Sequence, residues 1–320
     1  MRIIFLGTPE FALPSLEKLT QSHHEVIAVV TQVDKPSGRG NKLSPSPVKQ
    51  FAMSKNIKVL QYEKISRDGV EELTNLNPDI MITAAYGQIL SQAIIDIPKY
   101  GIINVHASLL PKFRGASPIQ SAVLKGEKTT GITIMQTDIG LDTGDILSKI
   151  TTEIRNDETA GELTARLAVL GGDLLLETLD LIEQGKTNPI KQYHADATIT
   201  KKISKEDCLI NWNKSAKEIK CLILGANPDP VARTMVNNEQ VRIHRAIEAN
   251  LEETSLAPGT IIEPTSVKNG VFVQCGQGVL EILEIQFPGG KVLPAKLLVG
   301  GRKLAVGMRF KPMLFPAHTD

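Results

Sequence analysis

The chain reads as an α/β domain with a mostly parallel, Rossmann-like sheet, followed by a small C-terminal β-barrel. Three observations predict this. Over residues 2–105, short apolar β-rich runs alternate with amphipathic helical stretches, the signature of βαβ units on a parallel sheet. Beyond residue 206 the alternation gives way to several short β-like runs separated by turns, as in a small barrel. At 320 residues the chain exceeds one typical core, so two domains are expected.

The first strand, 2–6, is a short apolar run ended by Gly7, Pro9 and Glu10; it is too brief for a secretory leader and reads as buried sheet. Residues 25–31, 58–60, 79–83 and 101–105 supply further strands, and 11–20, 48–55, 68–76 and 90–95 the helices between them. Parallel sheets bind ligands outside the carboxyl ends of their strands. Gly7-Thr8-Pro9 and residues 104–108 fall at two such ends and are expected to be neighbours. Gly7 stands alone rather than in G-x-G-x-x-G, so a tight turn with Pro9 opening a helix accounts for it without a dinucleotide. Two β-rich runs, 129–136 and 146–154, flank an acidic turn; a long helix over 159–184 follows, stopped by Gly185. A polar stretch then leads to β-like runs at 241–246, 259–262, 271–275 and 279–286, with one helix at 215–224. The expected division is a first domain at 1–188, a basic linker at 189–205 and a barrel of the oligonucleotide-binding (OB-like) type at 206–320.

With 42% hydrophobic and 22% charged residues the composition is that of an ordinary globular protein, and a net charge of +1 excludes a strongly basic nucleic-acid binder while leaving room for a local patch. The charge is uneven. Residues 31–49 carry a net +3 and residues 185–205 a net +4, whereas 206–320 hold 13 basic and 12 acidic side chains. A polyanion would be gripped by the loop and the linker. Cys208, Cys221 and Cys275 are scattered and form no C-x-x-C, so reduced thiols are expected rather than a zinc knuckle or disulfide framework. No run approaches the roughly eighteen apolar residues that span a bilayer; no membrane segment and a cytoplasmic location are expected.

The chemistry concentrates in 102–145. Asn104 and His106, two apart on a strand, share one face. The turn S-L-L-P-K-F-R-G follows at once, and D-I-G-L-D-T-G-D comes after one further strand. An isolated histidine is more often structural, and Asn104 could simply close an Asx turn. Beside each other and a carboxylate, however, an amide and an imidazole can stabilise an oxyanion and move protons. Asp138, Asp142 and Asp145 compete for the carboxylate role, and pattern alone does not choose among them. The stretch P-S-G-R-G-N-K-L-S-P-S-P is too long for a routine connection, and its cations, Lys35, Arg39 and Lys42, suit phosphates.

These residues resemble the methionyl-tRNA formyltransferases: L-G-T-P-E-F-A at the start, the basic loop, N-V-H at 104–106, S-L-L-P-K-F-R-G-A-S-P-I-Q at 108–120, D-x-G-L-D-T-G-D at 138–145, K-K-I-S-K-E-D, I-N-W, L-E-I-L-E-I-Q-F-P-G-G-K and G-x-R-F at 307–310. The likeness covers essentially the whole chain. It implies transfer of a formyl group from 10-formyltetrahydrofolate to the amino group of initiator methionyl-tRNA, by a monomer and without a metal. The family's triad falls on Asn104, His106 and Asp142, its folate turn on Ser108, Leu109, Leu110 and Pro111, and its tRNA-entering loop on 33–47 with Arg39, Lys35 and Lys42. Asn104 and protonated His106 would hold the oxyanion while Asp142 keeps His106 charged. Val33 replaces the usual proline, and 225–233 lacks the aromatic and glycine of the family pattern. Three rivals share parts of this pattern: a formyltransferase for a small amine, which would not need the basic loop; a non-catalytic RNA-binding protein, which would not need the triad; and a formyl-folate hydrolase.

Overall fold

A computed structural model describes residues 1–37, 42–300 and 303–313, without the side chains of Ser37 and Lys42. The chain forms two compact units. One comprises Met1–Pro118, Thr129–Glu153 and Thr164–Thr200; the other takes Ile119–Lys128, Ile154–Leu163 and the chain from Lys201 onward.

In the first unit the strands are β1 (Arg2–Gly7), β2 (Glu25–Thr31), β3 (Lys35–Ser37), β4 (Lys42–Ser44), β5 (Val59–Gln61), β6 (Ile80–Ala84), β7 (Ile102–His106), β8 (Arg114–Gly115), β9 (Thr129–Gln136), β10 (Ile146–Glu153) and β11 (Ile199–Thr200). Seven of them form one sheet in the order β10-β9-β7-β6-β1-β2-β5. The five from β5 to β7 run parallel, and β9 and β10 extend the sheet antiparallel. Ile3, Ile4, Phe5 and Leu6 are all fully buried, as expected of a central parallel strand covered on both faces. The chain leaves β1 in one direction through β2 and β5, then returns to the other side through β6 and β7. The order therefore reverses between β1 and β6, where such sheets open a crevice at their carboxyl ends.

Helices α1 (Leu13–Gln21), α2 (Pro47–Ser54), α3 (Ile65–Asp68), α4 (Val70–Asn75) and α5 (Gln92–Ile95) connect these strands. The single helix expected at 68–76 is thus two short ones meeting at Gly69. The Ser46 hydroxyl caps α2 by accepting from Lys49 N at 3.2 Å, and Pro47 takes its first turn, where a missing N–H is harmless. Helix α6 (Pro118–Leu124) precedes β9, and the long α7 (Ala160–Glu183) follows β10 and ends at Gly185, whose φ of +64° suits the left-handed stop of a helix.

The stretch expected as a linker is not free. Ile190 bridges Ile146, and β11 pairs in parallel with β8, so residues up to Thr200 belong to the first unit. A two-residue strand has no periodicity to read, and its partner is remote in sequence.

The second unit contains α8 (Ala216–Gly225), β12 (Ala232–Val236), β13 (Glu239–Ala249), β14 (Ile261–Ser266), β15 (Gly270–Gln274), β16 (Val279–Gln286), β17 (Val292–Pro294) and α9 (Leu297–Gly300). Its strands are antiparallel in the order β12-β13-β16-β15-β14, with β17 added to β16. The segment 309–311 bridges both ends of that path, Met235 on β12 and Thr260 just before β14, which closes the sheet into the expected barrel. Phe310 on this segment is fully buried and stacks on Trp212 with ring centroids 5.3 Å apart. Strands β12 and β17 were not foreseen. Cys208 and Cys275 lie unpaired in this core, and burial pushes their thiols up to about 11 and about 12. Among the described residues no helix is long and apolar enough to cross a membrane.

Candidate active site

Strand β7 presents Asn104 and His106 on one face at the carboxyl end of the sheet, as their spacing requires. The register sets Thr83 of β6 opposite Asn104. The Thr83 hydroxyl donates to Asn104 Oδ1 at 2.9 Å, so the amide oxygen is occupied and the NH2 is left to face a ligand. Thr83 was missed in the sequence, although a polar residue closing the otherwise apolar I-M-I-T-A run was a legible signal.

His106 is buried, and its Nε2 stands 3.0 Å from the Phe113 carbonyl oxygen. A carbonyl can only accept, so Nε2 carries the proton and Nδ1 is the nitrogen on the Asp142 side. Nδ1 lies 3.7 Å from Asp142 Oδ2. The structure therefore separates two of the three competing aspartates. Asp138 closes its own turn, accepting from Gly140 N at 3.1 Å and Thr143 Oγ1 at 2.7 Å, whereas Asp142 reaches the imidazole. Gly115 N donates to Asp142 Oδ2 at 2.7 Å, and Asp142 itself sits at φ 52°, a left-handed conformation that non-glycine residues seldom adopt. Gly144 is required in this loop because a Cβ there would strike the Gln136 carbonyl oxygen.

The turn after β7 is braced from within. Ser108 is fully buried; its hydroxyl donates to Lys112 O at 2.7 Å, and its carbonyl accepts from Thr133 Oγ1 at 2.7 Å. Leu110 packs with Met135 and Ile146, and its carbonyl accepts from Lys149 Nζ, whose pKa burial lowers. The side chains of Ser108 and Leu110 thus point into the protein, leaving Leu109, Pro111 and main-chain atoms as the parts of that turn able to meet a ligand. On the other side, Thr198 Oγ1 accepts from Phe113 N at 2.8 Å and Thr200 Oγ1 donates to Arg114 O at 3.0 Å. At the carboxyl end of β6, Gln32 Nε2 donates to Tyr86 O at 2.9 Å, holding the loop that follows.

The basic segment begins as a short antiparallel ribbon of β3 and β4 rather than an open loop. Lys35 is exposed, with Nζ donating to Gln32 Oε1 at 3.0 Å. Lys49 is neutralised by Asp34 at 2.6 Å, and this contact with Lys49, followed by Gln61, holds the Asp34 carboxyl below its usual range. Arg39 and the Lys42 side chain lie outside the described residues.

Comparison with known proteins places the chain in a family. Residues 1–179 match the formyl transferase family and residues 202–303 the formyl transferase C-terminal domain. The methionyl-tRNA formyltransferase of Acetivibrio thermocellus is 47% identical over 308 residues, covering 96% of this chain and 98% of that one. The corresponding protein of Clostridium botulinum is 46% identical over 306 residues, 95% of this chain and 97% of its own. The N-formyltransferase of Helicobacter canadensis, solved with folinic acid and dTDP-3-aminofucose, shares the fold at a TM-score of 0.65 and 21% identity, over 88% of this chain and 98% of that one. With both domain models matched in order and relatives aligned nearly end to end, the chain belongs to the methionyl-tRNA formyltransferase family.

Proposed function

We propose that the protein transfers the formyl group of 10-formyltetrahydrofolate to the amino group of initiator methionyl-tRNA, and that Asn104, His106 and Asp142 carry the step. The observation that supports this reading most directly is the convergence of a free amide NH2, an imidazole Nδ1 and a carboxylate at the carboxyl end of one sheet. The folate, when bound, supplies an electrophilic formyl carbon. As the amine nitrogen bonds to that carbon, charge develops on the formyl oxygen. The Asn104 NH2, aimed by Thr83, and the protonated Nδ1 of His106 donate to that oxygen; preorganised donors of this kind contribute about 3 kcal/mol each. Asp142 balances the imidazolium and takes up the amine's proton directly or through water; the oxyanion's electrons then reform the carbonyl, the bond to the folate nitrogen breaks, and that proton passes to the departing folate amine. The buried turn at 108–111 would bound the folate with its main chain, Leu109 and Pro111, and Lys35, Arg39 and Lys42 would meet phosphates of the acceptor end. On this reading residues 1–188, braced through Thr200, form the transfer domain and the barrel from 206 binds tRNA. The protein would act as a monomer in the cytoplasm.

The deciding experiment follows labelled formyl from 10-formyltetrahydrofolate onto charged initiator tRNA, free methionine and small amines. Transfer to the tRNA alone is expected; equal transfer to a small amine, or release of formate at the same rate, would overturn the assignment. H106A should abolish transfer while tRNA still binds, and residual activity above about a tenth of wild type would count against the role given to His106. R39A should slow tRNA-dependent turnover with folate affinity unchanged; a matching loss of folate affinity would refute the loop's role.

A further inference from the structure

We infer that Gln192 is a positioning residue for Asp142, acting from an Arg114 anchor that also presents the main-chain donor to the Asp142 carboxylate. The inference rests on the reading of Asp142 as part of the reacting group. Gln192 lies in the polar stretch that carried no motif, yet the residue is only 7% exposed. Its Nε2 donates to Asp142 O at 2.9 Å and to Gly144 O at 2.8 Å. Its Oε1 accepts from Arg114 Nε at 3.1 Å and Nη2 at 2.7 Å. A guanidinium can only donate, so the amide oxygen must face Arg114 and the NH2 must face the two loop carbonyls.

Arg114 is a fixed anchor. The residue is 5% exposed, its Nη1 contacts His194 Nδ1 at 3.2 Å, and its main-chain N donates to Thr198 O at 2.8 Å. The next residue, Gly115, is the main-chain donor to Asp142 Oδ2, and a Cβ there would run into the Thr200 carbonyl oxygen. Both ends of Asp142 are thereby tied to the Arg114–Gly115 segment: the carboxylate through Gly115 N, the backbone through Gln192. A residue held at φ 52° persists where its surroundings over-determine it, and these contacts do so. Removing the Gln192 donors frees the Asp142 backbone to leave the left-handed region, and the carboxylate moves away from His106 Nδ1. An error of about 1 Å at a reacting group can cost on the order of a hundredfold in rate.

The test compares the full-length wild-type protein with Q192A, Q192E, D142A and the double variant Q192A/D142A in formyl transfer to charged initiator tRNA. Q192E keeps the volume and the Arg114 contact while turning an acceptor toward two carbonyls, and its melting temperature and near-UV spectrum verify folding. Q192A and Q192E are expected to lower kcat by about tenfold or more with KM for the folate within about twofold. In the D142A background Q192A is expected to change the residual rate by less than about twofold, because the residue it positions is gone. A kcat above half of wild type in Q192A, or the same loss with and without Asp142, overturns the inference. A fully active D142A would remove the reading of Asp142 itself and the inference with it.

Discussion

At the scale of single residues, the proposed site depends on what is already occupied. Asn104 can donate outward because Thr83 has taken its oxygen, and His106 can work through Nδ1 because Phe113 O has taken Nε2–H. T83V removes the hydroxyl with little change in volume and leaves the amide free to rotate. A loss of about five- to tenfold in kcat is expected, the worth of one hydrogen bond of about 1 kcal/mol, with KM for tRNA unchanged. Steady-state kinetics check this, and an unchanged kcat would show that the Asn104 orientation is set by something else. Asn104, His106 and the three aspartates were legible as residue types at telling spacings. Thr83, Arg114 and Gln192 were not given roles, because a supporting residue is recognised by what it touches and the contacts join segments remote in sequence.

At the scale of elements, periodicity located the central strands and the long helix well, since burial of one or both faces writes itself into the order of apolar residues. It failed for β8 and β11, two residues each, and for β12 and β17, whose pairing depends on neighbours. The segment 309–311 shows the same limit: it is too short to read as a strand, yet it bridges β12 and the start of β14. Phe310 makes that closure stick, being fully buried against Trp212. F310A should destabilise the barrel by about 3–5 kcal/mol, the usual range for removing a buried aromatic. Urea unfolding followed by Trp212 fluorescence measures it, and a cost under about 1 kcal/mol would mean that the closing segment contributes little.

At the scale of the whole molecule, the acid limb of stability has two distinguishable parts. Burial, reinforced by His23 and the amino terminus, lowers the pKa of His24 below its ordinary 6.5. Its folded value is depressed, so its contribution is present above 6.5 and is lost as pH falls through the folded value. The carboxylates follow at lower pH. Lys49 and Gln61 hold Asp34 below 3.8, and Lys214 with Ser215 holds Glu218 at about 2, so their contributions are present above the ordinary carboxylate values and lost as pH falls toward the folded ones. Melting temperature should begin to fall just below pH 6.5 and fall further below about 4.5; H24Q should remove the first decline and leave the second. A wild-type profile flat down to pH 4.5 would exclude His24 as its source. The sequence by itself determined the α/β-then-β plan and placed Asn104 and His106 two apart on one strand, because these are written in local spacing and in which residues are apolar; Asp142 entered as their proposed partner only through family likeness. Only the tertiary structure decided which imidazole nitrogen lies on the Asp142 side, that Ser108 and Leu110 turn inward, and that the stretch up to Thr200 hydrogen-bonds to the turn at 113–115. Each of those depends on hydrogen bonds between segments that meet only in the folded chain, and no local pattern encodes such a meeting.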